Sequence, residues 1–343
     1  MRTNADDTAI SLGILGLGQY FQHAYLPKLL EPASPFRVSA LCRRNRSALE
    51  EMASRFGSPR LYVSWPELLR DPGLEAVLIS TPHDLHFEQV RAALGQGLHV
   101  LVDKPLCLDA ARAEELVQLA RAKGLVLSVA YNYHTWGHFQ AARAWIADGK
   151  LGAITSAAVL GAARGEGSPI LDPQSWYHRT DRAGGGSMSS GGTHRLTALL
   201  WLTGLRPRSV FASMQGPTAS LDLETGLVLE LGTGAVATLL NEANGPAWRI
   251  EFSIYGEEGA LFIRNQALEV HGPDGEVIEV EIPPDNDALE DFYAAVASGK
   301  ALLTSAWDGY WAVAAVQAVY QSAERGRAVR VREPGLDRET GER

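Results

Sequence analysis

Lys104 has the plainest capacity for chemistry in this chain. It follows the apolar run Leu98-His99-Val100-Leu101-Val102-Asp103 and precedes Pro105. The only lysines are Lys28, Lys104, Lys123, Lys150 and Lys300, against 26 arginines. Where positive charge alone is wanted, this sequence uses arginine. An ammonium can lower its pKa and pass on a proton, which a guanidinium cannot, so a lysine at a strand end points to proton transfer. His194 is the second such group, eight residues after the turn Gly184-Gly185-Gly186. Its imidazole changes charge near neutral pH.

A nucleotide site is written nearer the start. Gly13-Ile14-Leu15-Gly16-Leu17-Gly18 ends an apolar run and opens a helical stretch. In a dinucleotide fingerprint, Gly16 permits the tight turn and Gly18 lets a pyrophosphate approach the backbone. Gln19 and Tyr20 follow, and Phe21 fills the third position, where Gly or Ala is usual. That change is expected to alter helix–strand packing more than phosphate contact. The second apolar run ends Cys42-Arg43-Arg44-Asn45-Arg46, with no acid to hold the adenosine ribose. Arg43 and Arg44 suit a 2′-phosphate, so NADP is expected ahead of NAD. The plainer alternative is a solvated first helical turn, although the helix dipole disfavours cations there.

These groups need elements to hold them. Strands are expected at 10–15, 36–42, 76–80, 98–102 and 125–130. Helices are expected from the glycine turn to about residue 30, and at 47–56, 85–94 and 110–123. Such alternation implies right-handed βαβ units and a parallel sheet. After residue 150 the texture changes. Residues 161–186 read as an aperiodic loop, followed by a helix over 190–202. From 210 to 280 the period falls to 2: Leu223, Thr225, Leu227, Leu229 and Leu231 alternate with Asp222, Glu224 and Glu230. That pattern reads as an antiparallel meander with one buried face. Helices over 288–297 and 306–325 close the chain. The fold class is α/β: an N-terminal Rossmann parallel-sheet domain over 1–131, then an α+β domain over 132–343. The second is built on a large, mostly antiparallel open sheet and is assigned substrate binding and oligomerisation.

Composition excludes several functions. A length of 343 residues suits two domains, and 46% hydrophobic residues supply ample core. The formal charge of −9 is spread along the chain without a basic block, which disfavours nucleic acid and anionic membrane as partners. Cys42 and Cys107 form no C-x-x-C pair, and His134, His138 and His178 lack ligand spacing with nearby acids, so no metal is expected. The start lacks the order of a signal peptide, and no apolar run reaches the ~20 residues of a membrane span. The expectation is a cytoplasmic protein.

Two further stretches carry a family resemblance: Ser80-Thr81-Pro82-His83-Asp84-Leu85-His86, and the run through Asp103-Lys104-Pro105. With the first glycine turn, Gly184-Gly185-Gly186, His194 and Trp201-Leu202-Thr203-Gly204, they resemble the glucose–fructose oxidoreductase / inositol dehydrogenase / rhizopine catabolism (Gfo/Idh/MocA) family. The resemblance covers nearly the whole chain. It implies NAD(P)-dependent hydride transfer at a carbinol or carbonyl carbon of a sugar, polyol or related cyclic substrate. Lys104 would hydrogen-bond the reacting oxygen, with a cis peptide before Pro105. Here Asp103 replaces the family's usual glutamate. Thr81, Pro82, His83, His86, Asp103, Pro105 and Asn132 would join Gly16, Gly18, Gln19, Tyr20, Phe21, Cys42, Arg43, Arg44 and Lys104 beside the cofactor.

The family commonly pairs the histidine with an aspartate one helical turn earlier, but Ser190 stands at that place. His194 then acts alone, with Lys104, or with a partner from another segment. Of Tyr131 and Tyr133, one is expected to face the substrate, and Tyr133 is the assignment. Arg164, Asp172, Trp176, Tyr177 and His178 join it, with Ser190, His194 and Lys104, since aromatic faces and polar groups suit a polyhydroxylated ring. An ordinary surface loop is the competing reading for that segment. The alternative functions are a redox-neutral glycosidase of the same family, or a nucleotide-binding regulator without turnover. Relatives pack as dimers or tetramers, so a homodimer or homotetramer is expected.

Overall fold

The computed structural model describes residues 9–164, 169–218 and 220–335. Contacts divide the chain into two units. The first runs to Cys107 and takes in Glu115–Ala130 and Asp287–Trp307; the second comprises Leu108–Glu114, Tyr131–Asn286 and the chain from Asp308. The chain therefore returns to the first unit late, whereas a single division at 131 places everything after it in the second.

The first unit is a six-stranded parallel sheet. Its strands are β1 (Ile10–Leu15), β2 (Phe36–Cys42), β3 (Arg60–Tyr62), β4 (Ala76–Ile79), β5 (His99–Asp103) and β6 (Leu127–Ala130). They lie in the order β3-β2-β1-β4-β5-β6, all parallel. β1 and β4 are buried at every residue, which explains their unbroken apolar runs: a parallel sheet is covered on both faces. β3 has no apolar run to mark it in the sequence, because it is a three-residue, half-exposed edge. Strand order reverses between β1 and β4, the point outside whose carboxyl ends ligands bind in such sheets. The expected first helix is two pieces, Gln19–Ala24 and Leu26–Leu29, with Pro27 at the start of the second. The late return is the helix Ala288–Ser298, whose Phe292 stacks on Phe36 of β2, with centroids 6.3 Å apart. Leu289 and Phe292 complete one apolar cluster with Ile10, Leu12, Phe21 and Leu41.

The second unit carries a nine-stranded sheet. Its strands are β7 (Ile154–Arg164), β8 (Pro207–Gln215), β9 (Glu224–Leu231), β10 (Val236–Gly245), β11 (Arg249–Gly256), β12 (Gly259–Arg264), β13 (Ala267–His271), β14 (Val277–Ile278) and β15 (Val329–Arg330). The order is β14-β13-β12-β11-β7-β10-β9-β8-β15. The expected simple meander is corrected here, because β7 lies between β10 and β11 and runs parallel to β10. The expected loop from 161 is likewise corrected at its start: β7 continues to Arg164. Alternation along β9 and β10 sends Leu227, Leu229, Leu231, Ala237 and Leu239 inward. Helices Gly137–Ala147 and Thr193–Thr203 belong to this unit, as does Ala306–Arg325 from Asp308 onward. Among the described residues, no helix is long and apolar enough to cross a membrane.

Candidate active site

In the first unit the glycine turn is built by necessity. Gly16 has φ +89, and a Cβ there would run into the Ser80 carbonyl oxygen and approach Thr81 Cγ2 to 2.9 Å. Only glycine fits both conditions. Gly18 caps the helix Gln19–Ala24 at φ −75, and nothing lies within 4 Å of the place where a Cβ would stand. The backbone there is open to a close ligand such as a pyrophosphate, so these residues fit a dinucleotide. Gln19 and Tyr20 are exposed beside it. Phe21 is corrected as a cofactor contact through its side chain: the ring is fully buried in the apolar cluster beside Tyr25. Cys42 is a buried free thiol whose pKa burial raises to about 11, so it offers no thiolate. Arg43 Nη1 donates to the Leu17 carbonyl at 3.3 Å, which leans its guanidinium over the glycine turn. Arg44 is exposed beside it. Arg46 is occupied by Glu50 on its own helix, 2.6 Å away.

Lys104 follows β5, and its peptide bond to Pro105 is cis. It is 8% exposed. Burial pulls its pKa down to about 8, against the pull of Asp103 in the other direction. Asp103 accepts hydrogen bonds from Tyr25 and Ser80, while burial raises its carboxyl to about 6. Tyr25 sits 78 residues away in sequence, a partner that no local pattern announces. The shorter Asp103 is thus held on both oxygens.

The loop after β4 is braced around Lys104. Thr81 Oγ1 donates to Gln89 Oε1 at 2.6 Å, and His83 is buried after the half-buried Pro82. His86 is fully enclosed, with Nδ1 2.7 Å from the Pro105 carbonyl and Nε2 2.9 Å from that of Thr81. Both ring nitrogens face backbone carbonyls, and the neutral ring that burial favours donates its one N–H to one of them. His86 is therefore a strut between two loops, which corrects its expected place among cofactor contacts.

In the second unit, residues 188–192 form a π turn that leads into the helix Thr193–Thr203. His194 is half-buried in its first turn. Its ring lies 5.6 Å from that of Tyr131, edge-on, and 5.9 Å from that of Tyr133. Tyr131 Oη lies 3.5 Å from Thr193 Oγ1. Tyr133 is buried among Trp136, Phe139 and Phe252, and hydrogen-bonds Arg195. Its hydroxyl thus turns into the core, correcting its assignment to the substrate. Arg195 also donates to Asn241, whose Nδ2 donates to Ser187 Oγ at 2.7 Å. Half-buried Ser190 donates its N–H to the Gly186 carbonyl at 3.2 Å. Asn132 is exposed at the start of this unit.

The expected substrate loop is partly ordered by itself. Trp176 and Tyr177 stack at 3.9 Å on a 3-10 turn, and His178 Nδ1 donates to the Ile170 carbonyl at 2.9 Å. That bond leaves the other imidazole nitrogen as an acceptor in the neutral ring. Asp172 accepts from the Gln174 N–H at 2.9 Å. Arg179 and Asp181 pair with one another at the surface, 2.8 Å apart. The Arg164 side chain lies outside the described residues. Among the described residues, no cluster of three or more His, Cys, Asp or Glu could hold a metal ion.

Residues 10–131 match the family described as "Oxidoreductase family, NAD-binding Rossmann fold", and residues 139–262 match the GFO/IDH/MocA C-terminal domain. The chain belongs to the Gfo/Idh/MocA oxidoreductase family. A 1,5-anhydro-D-fructose reductase from Ensifer adhaerens is 29% identical over 300 residues, covering 83% of this chain and 87% of that protein. An NADP(+)-type scyllo-inositol 2-dehydrogenase from Bacillus subtilis is 25% identical, covering 93% and 95%. Among solved structures, a levoglucosan dehydrogenase in complex with NADH and L-sorbose superposes with TM-score 0.83 at 23% identity, covering 95% of this chain and 100% of that one. That likeness carries the fold. As a Gfo/Idh/MocA member, the protein is an NAD(P)-dependent oxidoreductase with an N-terminal Rossmann domain and a second domain on a mostly antiparallel sheet.

Proposed function

We propose that this oxidoreductase acts on a carbinol or carbonyl carbon of a sugar, polyol or related cyclic substrate, with NADP(H) ahead of NAD(H). The supporting observation is Lys104: a buried amine at the carboxyl end of a parallel strand, with its pKa brought to about 8. The relatives' activities favour the substrate class. When bound, the nicotinamide accepts or returns the hydride. Lys104 hydrogen-bonds the reacting oxygen. In oxidation its neutral amine takes the hydroxyl proton; in reduction its ammonium gives it back. His194 assists as acid, base or hydroxyl ligand, and Trp176, Tyr177 and His178 bind the ring. The test is a panel of sugars and polyols with each nicotinamide. Net NAD(P)H formation supports the proposal. Reducing-sugar release without it selects the glycosidase reading, and binding without turnover selects the regulator; the relatives' dehydrogenase and reductase activities disfavour both.

Cofactor choice rests on Arg43 and Arg44. NADP(H) should bind more tightly than NAD(H), and Arg43→Asp should reverse the order. Each charge-assisted bond to a 2′-phosphate contributes ~1.5–3 kcal/mol before exposure reduces it. Fluorescence titration of both cofactors reads this directly, and tighter NAD(H) binding by the unaltered protein sinks it.

A second copy of the chain is the proposed occupant of the open sheet face. Phe211, Val228, Val236, Leu240 and Tyr255 are exposed there, on β8 to β11. Phe211 pairs with Val228, and Leu240 with Leu160, so the apolar strip crosses several strands. Such a strip marks an interface, and a two-fold axis makes one face its own complement. Light scattering after size exclusion should find a dimer or tetramer, shifted toward monomer by Leu240→Glu. A monomeric unaltered protein would defeat the assignment.

A further inference from the structure

The turn that leads into the His194 helix is held from outside its own sequence. The π turn at its start has no side-chain cap. Its leading N–H groups are instead collected by two distant residues: Asp222, just before β9, and Tyr320, on the helix Ala306–Arg325. Gly186 N–H donates to Asp222 Oδ1 at 3.1 Å and to Tyr320 Oη at 3.0 Å. Met188 N–H donates to Asp222 Oδ2 at 2.8 Å, and Ser189 N–H to Tyr320 Oη at 3.3 Å. Ser187 N–H completes the series on the Asp222 main-chain carbonyl at 2.7 Å. Four consecutive amides, 186 to 189, are thereby fixed. The fit is close: a Cβ on Gly186 would meet the Asp222 backbone.

Both side chains are saturated. Asp222 also accepts from Tyr320 Oη at 2.5 Å and Thr225 Oγ1 at 3.0 Å, which places two hydrogen bonds on each carboxylate oxygen. A carboxylate has about four acceptor sites. Tyr320 gives its one proton to Asp222 and accepts two N–H groups. Asp222 is 1% exposed, and a buried charge persists only when it is bonded this fully. Neither group has capacity left for substrate. Their contribution is to geometry.

We propose that Asp222 and Tyr320 are positioning residues for His194. By anchoring the main chain at 186–189, they fix the start of the helix that carries its ring. Ser190 supplies no carboxylate, the rings of Tyr131 and Tyr133 lie 5.6 and 5.9 Å from the imidazole, and the anchored main chain sets the helix start beneath it. This rests on His194 contacting the substrate.

The experiment compares Asp222→Asn and Tyr320→Phe with the unaltered full-length chain, on an accepted substrate with NADP. Asp222→Asn introduces an amide NH₂ facing N–H donors. It should lower kcat on the order of 10²-fold, as expected when a reacting group is misplaced by about 1 Å. It should also move the pH profile of kcat, with cofactor affinity held. Tyr320→Phe keeps the carboxylate and should cost less, on the order of 10-fold by the same reasoning. The double variant should be no worse than Asp222→Asn, because the two act as one network. A kcat within about twofold of the unaltered chain for Tyr320→Phe overturns the proposal, even if Asp222→Asn fails to fold. A lower amplitude with an unmoved pH profile also overturns it, since that is loss of folded protein alone. Failure of the underlying reading shows elsewhere: the unaltered chain turns over no sugar or polyol, or His194→Ala is fully active. Either result removes the positioning role as well.

Discussion

Lys104→Ala is expected to lower kcat by about 10²–10⁴-fold, the range of a positioned proton-transfer group, while NADP(H) affinity changes little. The amine is buried at the end of β5, and burial brings its pKa from 10.5 to about 8. The sign of the pH dependence follows. Oxidation needs the neutral amine, so its rate should rise as pH passes about 8. Reduction needs the ammonium and should fall through the same range. Lys104→Arg keeps the charge but cannot release the proton, and should fail in oxidation.

Stability rises over the same range as the oxidation rate. Below pH 8 the folded chain carries the full cost of a buried ammonium, on the order of 3 kcal/mol from the difference between 10.5 and about 8. Between 8 and 10.5 the folded chain sheds its proton before the unfolded chain does, and the cost fades. Lys104→Met should therefore unfold at higher temperature near neutral pH while being inactive. Steady-state rates in both directions, cofactor titration and thermal unfolding make the test. Near-normal kcat in Lys104→Ala removes this amine from the mechanism.

Where local pattern governs, the sequence is a good guide to this fold. β1, β2 and the helix Ala306–Arg325 stand where apolar runs and helical periodicity place them. β7 does not announce itself. Its residues, Ile-Thr-Ser-Ala-Ala-Val-Leu-Gly-Ala-Ala-Arg, are mostly small, with apolar side chains on both faces and no apolar–polar alternation. Its insertion between β10 and β11 is a long-range pairing that no short window contains. The same limit applies to the site. Lys104, His194 and the glycine turn are legible because motif and spacing are local. Tyr25 on Asp103, Arg195 on Tyr133 and His86 across two carbonyls are contacts that only the folded chain creates. The sequence neighbours of Tyr133 and Phe21 point both toward ligand, and packing turns both inward.

Gly16→Ala and Gly18→Ala should separate two roles that a shared motif conceals. At Gly16, φ is +89 and the Ser80 carbonyl occupies the path of a Cβ. Alanine must leave the left-handed region or displace the loop after β4. The backbone alone costs ~1–3 kcal/mol, and the clash adds to it. That loop is tied to β1 through Ser80 N–H on the Leu15 carbonyl at 2.8 Å, and Gly16 N–H bonds Cys42 at the end of β2 at 3.2 Å. Damage therefore spreads to three strand ends. Gly16→Ala should lose both thermal stability and cofactor binding. Gly18 has φ −75 and open space around its Cα, so Gly18→Ala should fold with normal stability. Its methyl still stands where the pyrophosphate approaches, and losing one or two charge-assisted N–H bonds costs ~1.5–3 kcal/mol each, roughly 10–10²-fold or more in affinity. Thermal unfolding without cofactor, beside NADP(H) titration, distinguishes the two. If Gly18→Ala binds NADP(H) normally, the pyrophosphate does not lie against this turn; if Gly16→Ala unfolds like the unaltered chain, the turn tolerates a rearrangement that its packing argues against.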